Sequence, residues 1–411
     1  MQYTDPVLLL QQLLRFRSIT PNEGGAFSFL QAWAEKIGFR VERPIFHDYD
    51  TPDVENFYAE CGNDTGPHLM FAGHMDVVSP GDESCWKYPP FAGDIIGQIL
   101  YGRGAVDMKG AIACFLIALA RVIRKQAIKG IISLLITGDE EGPAINGTVK
   151  ILQWAAKKGK KWDAAIVGEP TCCESLGDMI KIGRRGSLSG VLTVCGCQGH
   201  VAYPHLAHNP LPDIVTLLGA LINEPFDNGN ENFQPSNLEF TSIDTANQAR
   251  NVIPAEVKAS FNIRFNDHWS AEALKAEIEQ RLKKAAKIAK KGNNNLPFID
   301  YTIAWTSNPA SAFLTYDKQI INAISDAITK ISGNNPQVST CGGTSDARFI
   351  KSYCPVVEFG LIGKTMHKID ECVAVDDLKK LTSIYQLFIE EFFAKQRNIK
   401  HVITSELDLS M

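Results

Sequence analysis

The stretch that decides the fold reads Leu69-Met70-Phe71-Ala72-Gly73-His74-Met75-Asp76. Its four leading apolar residues show no polar alternation, which predicts a strand buried on both faces, as in a mostly parallel sheet. The strand would end at a glycine, and two side chains that can bind a metal or move a proton follow at once. Because ligands bind at the carboxyl ends of strands in open α/β sheets, this stretch predicts a fold class and a site together.

Two further apolar runs end in the same way. Residues 131–136 are followed by Gly138-Asp139-Glu140-Glu141-Gly142, and residues 164–167 by Gly168-Glu169-Pro170. Apolar residues at helical spacing connect the first two strands, over about 110–124. The pattern predicts an α/β domain with a mixed, mostly parallel sheet flanked by helices, in which three polar strand ends meet at one edge.

The character of the sequence changes near residue 186. Residues 187–193 and 255–264 alternate like strands with one wet face, which indicates an inserted α+β domain. The predicted boundaries are 1–185 for the first part of a catalytic domain, 186–308 for the inserted domain and 309–411 for the second part of the catalytic domain. We expect a last helix over 376–393 and a C-terminal tail over 395–411.

Length, charge and cysteine content limit the classes of protein to which this chain can belong. A chain of 411 residues is long for one core and predicts about two domains. The net charge of −5 gives no reason to expect nucleic-acid or membrane partners, and no apolar run is long enough to span a bilayer. The first six residues lack the basic segment of a signal peptide, and the ten cysteines include no Cys-x-x-Cys pair. We therefore expect reduced thiols and a cytoplasmic protein.

Two imidazoles and three carboxylates are enough to hold two divalent metals with open positions. The candidates in this chain are His74, Asp107, Glu141, Glu169 and His367. Asp107 lies in a Gly-rich turn before a helix, where a short side chain suits a bridge between two ions. His74 with Glu169 would complete one site, and Glu141 with His367 the other. Zinc is the expected metal, although cobalt or manganese accept the same ligands.

Two more acidic residues complete this inventory. Glu140 diverges in direction from Glu141, so we expect it to stay unligated and to act as the general base. Asp76 suits a partner of His74 that holds the second imidazole nitrogen. Each of these residues alone has a simpler explanation: a loop histidine, a helix cap at Asp107, or a solvated acidic turn at 140–141. Their joint occurrence at three strand ends favours the metal site.

Five motifs follow one another between residues 70 and 367: His74-x-Asp76, Asp107-Met108-Lys109-Gly110, Asp139-Glu140-Glu141-Gly142, Glu169-Pro170 and Met366-His367. In this order they resemble the co-catalytic zinc aminoacylase and carboxypeptidase family. The resemblance covers nearly the whole chain and implies a metal-dependent hydrolase of linear amides. It also implies that the inserted domain is a lid that pairs two subunits into a homodimer. His200 from one subunit would then stabilise the tetrahedral oxyanion in its partner's active site, unless it is simply a buried histidine of the lid.

Three further stretches concern the substrate, namely residues 181–187, 199–210 and 341–350. They resemble members of the family that act on a small anionic N-acyl amino acid. Arg184 suits a bidentate clamp on a carboxylate, and small residues at Gly343 and Thr344 let amides and hydroxyls approach an anion. Two further candidates for substrate contact are Tyr203 and Asn251. The alternatives are a surface cation and ordinary turns.

Three other functions compete with this interpretation. A relative with the same metal chemistry could act on another acyl group or on a peptide, because specificity is a small free-energy difference that a sequence reveals poorly. A metallophosphatase would also use two metals. A non-catalytic metal-binding scaffold would have no need of an unligated carboxylate at Glu140.

Overall fold

The structure is a computed structural model that describes residues 5–63, 66–126, 128–292, 299–306 and 309–408. It divides into two compact units. Unit 1 contains Met1–Gly183, Thr315–Ser339 and Ser345–Met411, and unit 2 contains Arg184–Leu314 and Thr340–Thr344. The sequence placed the inserted domain at 186–308. Residues 1–4, on which the signal-peptide expectation partly rests, lie outside the described residues, as do the last three of the predicted tail.

Helices and strands are numbered in chain order. The helices are α1 (Pro6–Leu14), α2 (Ala26–Lys36), α3 (Lys109–Arg124), α4 (Thr148–Lys157), α5 (Pro210–Ile222), α6 (Ala271–Gly292), α7 (Lys318–Ser332), α8 (Ala347–Ile350) and α9 (Val375–Asp408). The strands are β1 (Arg40–Glu42), β2 (Ile45–Asp48), β3 (Thr51–Glu55), β4 (Phe57–Gly62), β5 (His68–His74), β6 (Ile95–Ile96), β7 (Ile99–Tyr101), β8 (Ile131–Thr137), β9 (Ala164–Val167), β10 (Met179–Lys181), β11 (Gly183–Arg184), β12 (Gly186–Cys195), β13 (Gly199–His200), β14 (Asn237–Asp244), β15 (Val252–Ile253), β16 (Glu256–Phe265), β17 (Asp300–Trp305), β18 (Phe313–Leu314), β19 (Gln337–Ser339), β20 (Val356–Glu358) and β21 (Cys372–Ala374).

The central sheet of unit 1 has the strand order β1-β4-β8-β5-β9-β20-β10-β19. Its middle strands, β8, β5, β9 and β20, run parallel to one another. The pairs β1–β4, β4–β8 and β10–β20 are antiparallel. The predicted α/β fold with a mixed, mostly parallel sheet flanked by helices is confirmed.

Burial of the middle strands explains their uninterrupted apolar sequence. Every residue of β5 and β9 is buried. Phe115 of α3 stacks on Phe71 of β5 with ring centroids 4.0 Å apart, and Tyr385 of α9 meets Phe115 edge-on at 5.4 Å. The Tyr385 hydroxyl donates to the carbonyl oxygen of Phe359 at 2.6 Å, so this buried polar group is satisfied. Helices α3 and α9 therefore hold the strands whose ends carry the candidate site.

Unit 2 has its own core. Its antiparallel sheet has the order β14-β16-β12-β17, and β12 alternates buried and half-buried residues along its whole length. The buried face packs against α5 and α6 through residues such as Leu192, Leu217 and Leu274. Each fully buried leucine contributes about 1.5–3 kcal/mol. The alternation that indicated an inserted α+β domain thus corresponds to a two-layer unit.

The C-terminal helix is longer than predicted. Helix α9 begins at Val375 and ends at Asp408, so the expectation of a tail is wrong for 395–408. Apolar periodicity fades after Phe393, but neither glycine nor proline interrupts the segment, so the helix continues. No helix in the described ranges combines the length and the apolar character needed to cross a membrane.

Candidate metal centre

Three polar strand ends lie side by side because β5 is flanked by β8 and β9, both parallel to it. His74 is the last residue of β5, Glu140 and Glu141 follow β8, and Glu169 follows β9. The Nε2 atom of His74 is 3.7 Å from Oε1 of Glu169. The prediction that these strand ends meet at one edge of the sheet is confirmed.

Asp107 lies between two imidazoles. Its Oδ1 is 3.0 Å from Nε2 of His74, and its Oδ2 is 3.2 Å from Nε2 of His367. Burial alone would raise the pKa of this carboxyl, but hydrogen bonds donated by His367 and His74 outweigh it and hold the pKa well below its ordinary value. Because its two oxygens face different imidazoles, Asp107 has the geometry expected of a residue shared by two metal sites.

The partner of the other His74 nitrogen differs from the expected one. Nδ1 lies 2.8 Å from the backbone oxygen of Asp76, whereas the Asp76 carboxylate is 3.7 Å away. That carboxylate instead accepts hydrogen bonds from the amides of Glu140 at 3.3 Å and Glu141 at 3.0 Å. Asp76 therefore holds His74 through its main chain and the acidic turn through its side chain.

His367 comes from the C-terminal part of unit 1. Its Nε2 is 2.8 Å from Oε1 of Glu141. Hydrogen bonds to Asp107 and then Glu141 raise the pKa of His367 to about 10. Its backbone has φ of 61°, a left-handed conformation that residues other than glycine seldom adopt. The surrounding segment therefore dictates where this imidazole points.

Glu140 is the acidic residue proposed as the base. Burial raises its pKa well above the ordinary value, and the charge of Glu169 raises it further. A carboxyl with a raised pKa takes up a proton more readily near neutral pH, which is the property a general base needs. A carboxylate oxygen of Glu140 also lies within 4.8 Å of donor atoms of His74 and Glu141, so the residue borders the cluster directly.

The donor atoms fit two divalent ions. Within the described residues, three sets have donor atoms within 4.8 Å of one another: His74 with Asp107 and Glu169, Asp107 with Glu141 and His367, and His74 with Glu140 and Glu141. The first two share Asp107, and each offers imidazole nitrogen and carboxylate oxygen, the donors of zinc and related ions. Four carboxylates confined in this space repel one another, and two imidazoles compensate only part of that charge. Two divalent cations would compensate the rest.

Sequence reasoning missed Glu371, four positions after His367. This fully buried carboxylate accepts hydrogen bonds from the amides of Gly104, Val106 and Asp107. Three of its four partners are main-chain amides, which leave no trace in a sequence pattern, and the fourth is the guanidinium of Arg103. The acidic pair 370–371 just beyond the Met-His motif was the available signal.

The predicted substrate contacts all belong to unit 2, as does His200, which was predicted to stabilise the oxyanion. These contacts are Arg184, Tyr203, Asn251, Gly343 and Thr344. His200 is exposed, so it is not the buried histidine that the alternative interpretation described. Its Nδ1 accepts a hydrogen bond from the amide of Ala202 at 3.1 Å, and its ring centroid is 5.8 Å from that of Tyr203. The carbonyl of Asn251 accepts from the amide of Val201 at 3.1 Å, so the structure brings His200, Tyr203 and Asn251 to the two-stranded antiparallel sheet formed by β13 and β15.

Unit 2 also contains three arginines that are relevant to anion binding. Arg184 is buried, and its Nη1 donates to the carbonyl oxygen of Gly343 at 3.2 Å. Arg185 donates to Oδ1 of Asn237 at 2.8 Å. Arg264 was not among the residues predicted from the sequence. Burial lowers its pKa, and the charge of Arg185 lowers it further. Nε of Arg185 and Nη1 of Arg264 are buried donors with no hydrogen-bond partner among the described residues. Donors and charge of this kind suit an anion.

Comparison with known proteins decides the family. The family model described as peptidase family M20/M25/M40 matches residues 70–391, well over half of the chain. The chain belongs to this family. The match spans all the metal-ligand candidates, so the resemblance carried by the five motifs is confirmed at the level of the family. A metal-dependent hydrolase of amide or peptide bonds follows from membership.

Several solved structures share the fold of this chain. An M20 metallo-carboxypeptidase from Sulfolobus solfataricus is 19% identical with a TM-score of 0.74, and the match covers 94% of this chain and 98% of that one. Human carnosine dipeptidase 1 is 18% identical with a TM-score of 0.71, over 94% and 95%. The Bacillus subtilis YXEP protein, described as a dinuclear metal-binding peptidase, is 15% identical with a TM-score of 0.66, over 95% and 98%. The M20 family binds two divalent ions, in agreement with the two ligand sets that share Asp107.

Proposed function

We propose that this M20 protein is a dinuclear zinc amidohydrolase that cleaves N-succinyl-L,L-2,6-diaminopimelate to succinate and L,L-diaminopimelate, a step towards lysine and peptidoglycan. The observation that carries the reaction type is Asp107, with its two oxygens 3.0 and 3.2 Å from two imidazoles. The choice of substrate is supported by residues 181–187, 199–210 and 341–350, which resemble the bacterial desuccinylase of that name.

Five residues would hold the metals. His74 and Glu169 would bind one ion, Glu141 and His367 the other, and Asp107 both. Bound there, two divalent ions polarise the amide carbonyl and lower the pKa of water. Zinc fits the nitrogen and oxygen donors, and cobalt or manganese would accept the same set.

Glu140 is proposed to move the proton. Water attacks the amide carbon, so a C–O bond forms and one water proton passes to the Glu140 carboxylate. The same proton then goes to the amine nitrogen as the C–N bond breaks. The raised pKa of Glu140 suits both transfers, because a base must also release its proton as an acid. Asp76 positions this residue by accepting its amide N–H.

The arginines of unit 2 are proposed to bind the substrate carboxylates. N-succinyl-diaminopimelate carries several carboxylates, and Arg184, Arg185 and Arg264 place positive charge in one unit. Nε of Arg185 and Nη1 of Arg264 are in addition buried donors with no hydrogen-bond partner among the described residues. Gly343 and Thr344 would add close main-chain and hydroxyl contacts. Tyr203 and Asn251 would contact the substrate from positions next to the two-stranded β13–β15 sheet.

A homodimer is proposed to complete the site, with His200 acting in the partner's active site. Support comes from apolar side chains that unit 2 exposes, among them Leu206 (71%), Val215 (67%) and Ile243 (57%). Strand β14 is also an edge strand of its sheet, a position at which a second copy could pair. A cytoplasmic location remains the expectation from the sequence.

Mixing two inactive variants tests the dimer. In a heterodimer of Glu140→Ala and His200→Ala, one of the two sites retains Glu140 and receives an intact His200. Random reassociation makes about half of the dimers mixed, and each mixed dimer has one working site of two. About a quarter of wild-type activity should therefore return. A mixture that stays inactive after confirmed subunit exchange would show that His200 does not act across subunits.

The first experiment on the function is succinate release from N-succinyl-L,L-diaminopimelate by zinc-loaded protein, with N-acetylornithine and a dipeptide alongside. We expect rapid release of succinate that a chelator abolishes. Turnover of only N-acetylornithine or only the dipeptide would keep the reaction type and overturn the substrate.

Two variants test the assigned roles. Glu140→Ala should keep both metals and lose about 10²–10⁴-fold in rate, as expected for loss of a general base. Asp107→Ala should lose metal and activity together. Full activity in metal-loaded Glu140→Ala would refute the proposed proton transfer.

A further inference from the structure

The carboxylate of Glu371 accepts four hydrogen bonds from one loop. Its Oε2 accepts from Nη1 of Arg103 at 2.8 Å and from the Gly104 amide at 2.9 Å. Its Oε1 accepts from the amides of Val106 at 2.8 Å and Asp107 at 3.2 Å. The loop connects β7 to α3. Because the side chain is fully buried, bulk water does not compete for these donors.

The same residue belongs to the segment that carries His367. Thr365 Oγ1 donates to the carbonyl of Cys372 at 2.9 Å and accepts from its amide at 3.2 Å, which closes this segment. The backbone oxygen of Glu371 accepts from the amide of Gly102 at 2.9 Å, and β21 then pairs with β7. Glu371 therefore sits where the loop of Asp107 and the segment of His367 join.

We propose that Glu371 is a positioning residue that fixes the separation of Asp107 and His367 and so sets the affinity of the metal site they form with Glu141. This inference rests on the dinuclear centre proposed above. Loss of an outer partner of metal ligands typically lowers affinity about 10–100-fold. The larger loss should fall on this site, because it takes both Asp107 and His367 from the segments that Glu371 joins, whereas the other site shares only Asp107 and takes His74 and Glu169 from the ends of β5 and β9.

A plain buried ion pair with Arg103 is the competing explanation. It accounts for one of the four hydrogen bonds and leaves the three amides unexplained. The variant Glu371→Gln distinguishes the two explanations, because glutamine keeps the shape of the side chain. In either orientation of the amide, its NH₂ group faces two donors of the loop, so at least two hydrogen bonds are lost and the loop is released.

The matched control is Asp370→Gly, which removes the accepting carboxylate, and glycine readily adopts the left-handed φ of 57° found at this position. Asp370 is the preceding residue, and its Oδ1 accepts the amides of Lys87 at 2.9 Å and Tyr88 at 3.2 Å. It thus anchors the same segment to a different loop. If Glu371 acts only as general structural support, the two variants should behave alike.

Two measurements on the full chain test the proposal. In metal-free protein, amide hydrogen exchange at Gly104 and Val106 should be at least about 10-fold faster in Glu371→Gln and unchanged in Asp370→Gly. In a titration with Co²⁺ followed by visible absorption, Glu371→Gln should weaken one Co²⁺ site about 10–100-fold and the other, which shares only Asp107, by less.

Three results would count against it or its premise. Unchanged exchange, or equal weakening of both Co²⁺ sites, overturns the role of Glu371. Failure of wild-type protein to bind two Co²⁺ ions would instead refute the dinuclear centre, while the exchange arm still decides whether Glu371 fixes the loop. If Glu371→Gln does not fold, Glu371→Asp replaces it, since the shorter side chain keeps the charge but cannot reach all four donors.

Discussion

Acidification should destabilise the fold through His68, which lies at the start of β5 and far along the strand from the metal ligands. The residue is 6% exposed, its ring centroid is 5.9 Å from that of Trp162, and its Nε2 has no hydrogen-bond partner among the described residues. Burial lowers its pKa from 6.5 to about 4. Above pH 6.5 the folded and unfolded chains both keep this imidazole neutral. Between pH 6.5 and 4 only the unfolded chain binds the proton, so stability falls as pH falls.

The magnitude follows from the shift. A difference of about 2.5 units at 1.36 kcal/mol per unit gives about 3 kcal/mol once pH reaches 4. Between pH 7.5 and 5.5 the loss from this residue is about 1.3 kcal/mol. The assay is urea unfolding of metal-free wild type and His68→Gln at both pH values. Subtracting the variant's pH dependence cancels every other titrating group, so equal pH dependence in the two proteins would refute the reasoning.

Three further predictions concern the frame of the site. Lys109→Met should lower the free energy of urea unfolding by about 1–3 kcal/mol, because the buried Nζ of Lys109 donates to the carbonyl oxygens of Leu13 and Phe16. Lys125→Met, at an exposed position, should change it by less than about 0.5 kcal/mol. Equal effects of the two variants would contradict this. A Cβ at Gly360 would lie 2.5 Å from the carbonyl oxygens of Gly168 and Glu169, so Gly360→Ala should lower both the thermal stability and the amount of bound zinc. Calorimetry and metal analysis measure the two effects, and an unchanged amount of bound zinc would contradict the prediction. Chelation should lower the thermal midpoint and zinc should restore it, because clustered carboxylates lose their counter-charge; a midpoint indifferent to metal would argue against the centre.

The ligand cluster was largely predictable because strand ends are visible in the sequence. His74, Glu141 and Glu169 follow apolar runs, and parallel pairing of those runs brings them together without further information. His367 was different. It follows no comparable run, and its place came from the order of the motifs that resemble the family. Its left-handed backbone and its contact with Glu141 depend on long-range packing.

The remaining features could not be predicted because they depend on main-chain partners or distant contacts. The sequence predicts that the Asp76 carboxylate holds the second nitrogen of His74. The backbone oxygen of Asp76 is closer to that nitrogen, and binding it does not require the Asp76 side chain to be held in one conformation. Glu371 accepts hydrogen bonds mainly from backbone amides. Because every residue except proline has such an amide, the sequence does not mark which residues it binds. Thr340–Thr344 joins unit 2 although the neighbouring sequence belongs to unit 1, a contact that no local pattern reveals.

The position of β20 determines when, during synthesis, the site can exist. This strand lies between β9 and β10 in the sheet, but the chain makes it only after the whole of Arg184–Leu314. At about 5–20 residues per second, that detour takes on the order of ten seconds. During this interval β9 and β10 have no strand between them, and His367 has not left the ribosome. A nascent chain can thus assemble one candidate ligand set early, whereas the second forms only after residue 367 emerges, so the complete candidate centre exists only in a chain that has been translated past Arg184–Leu314.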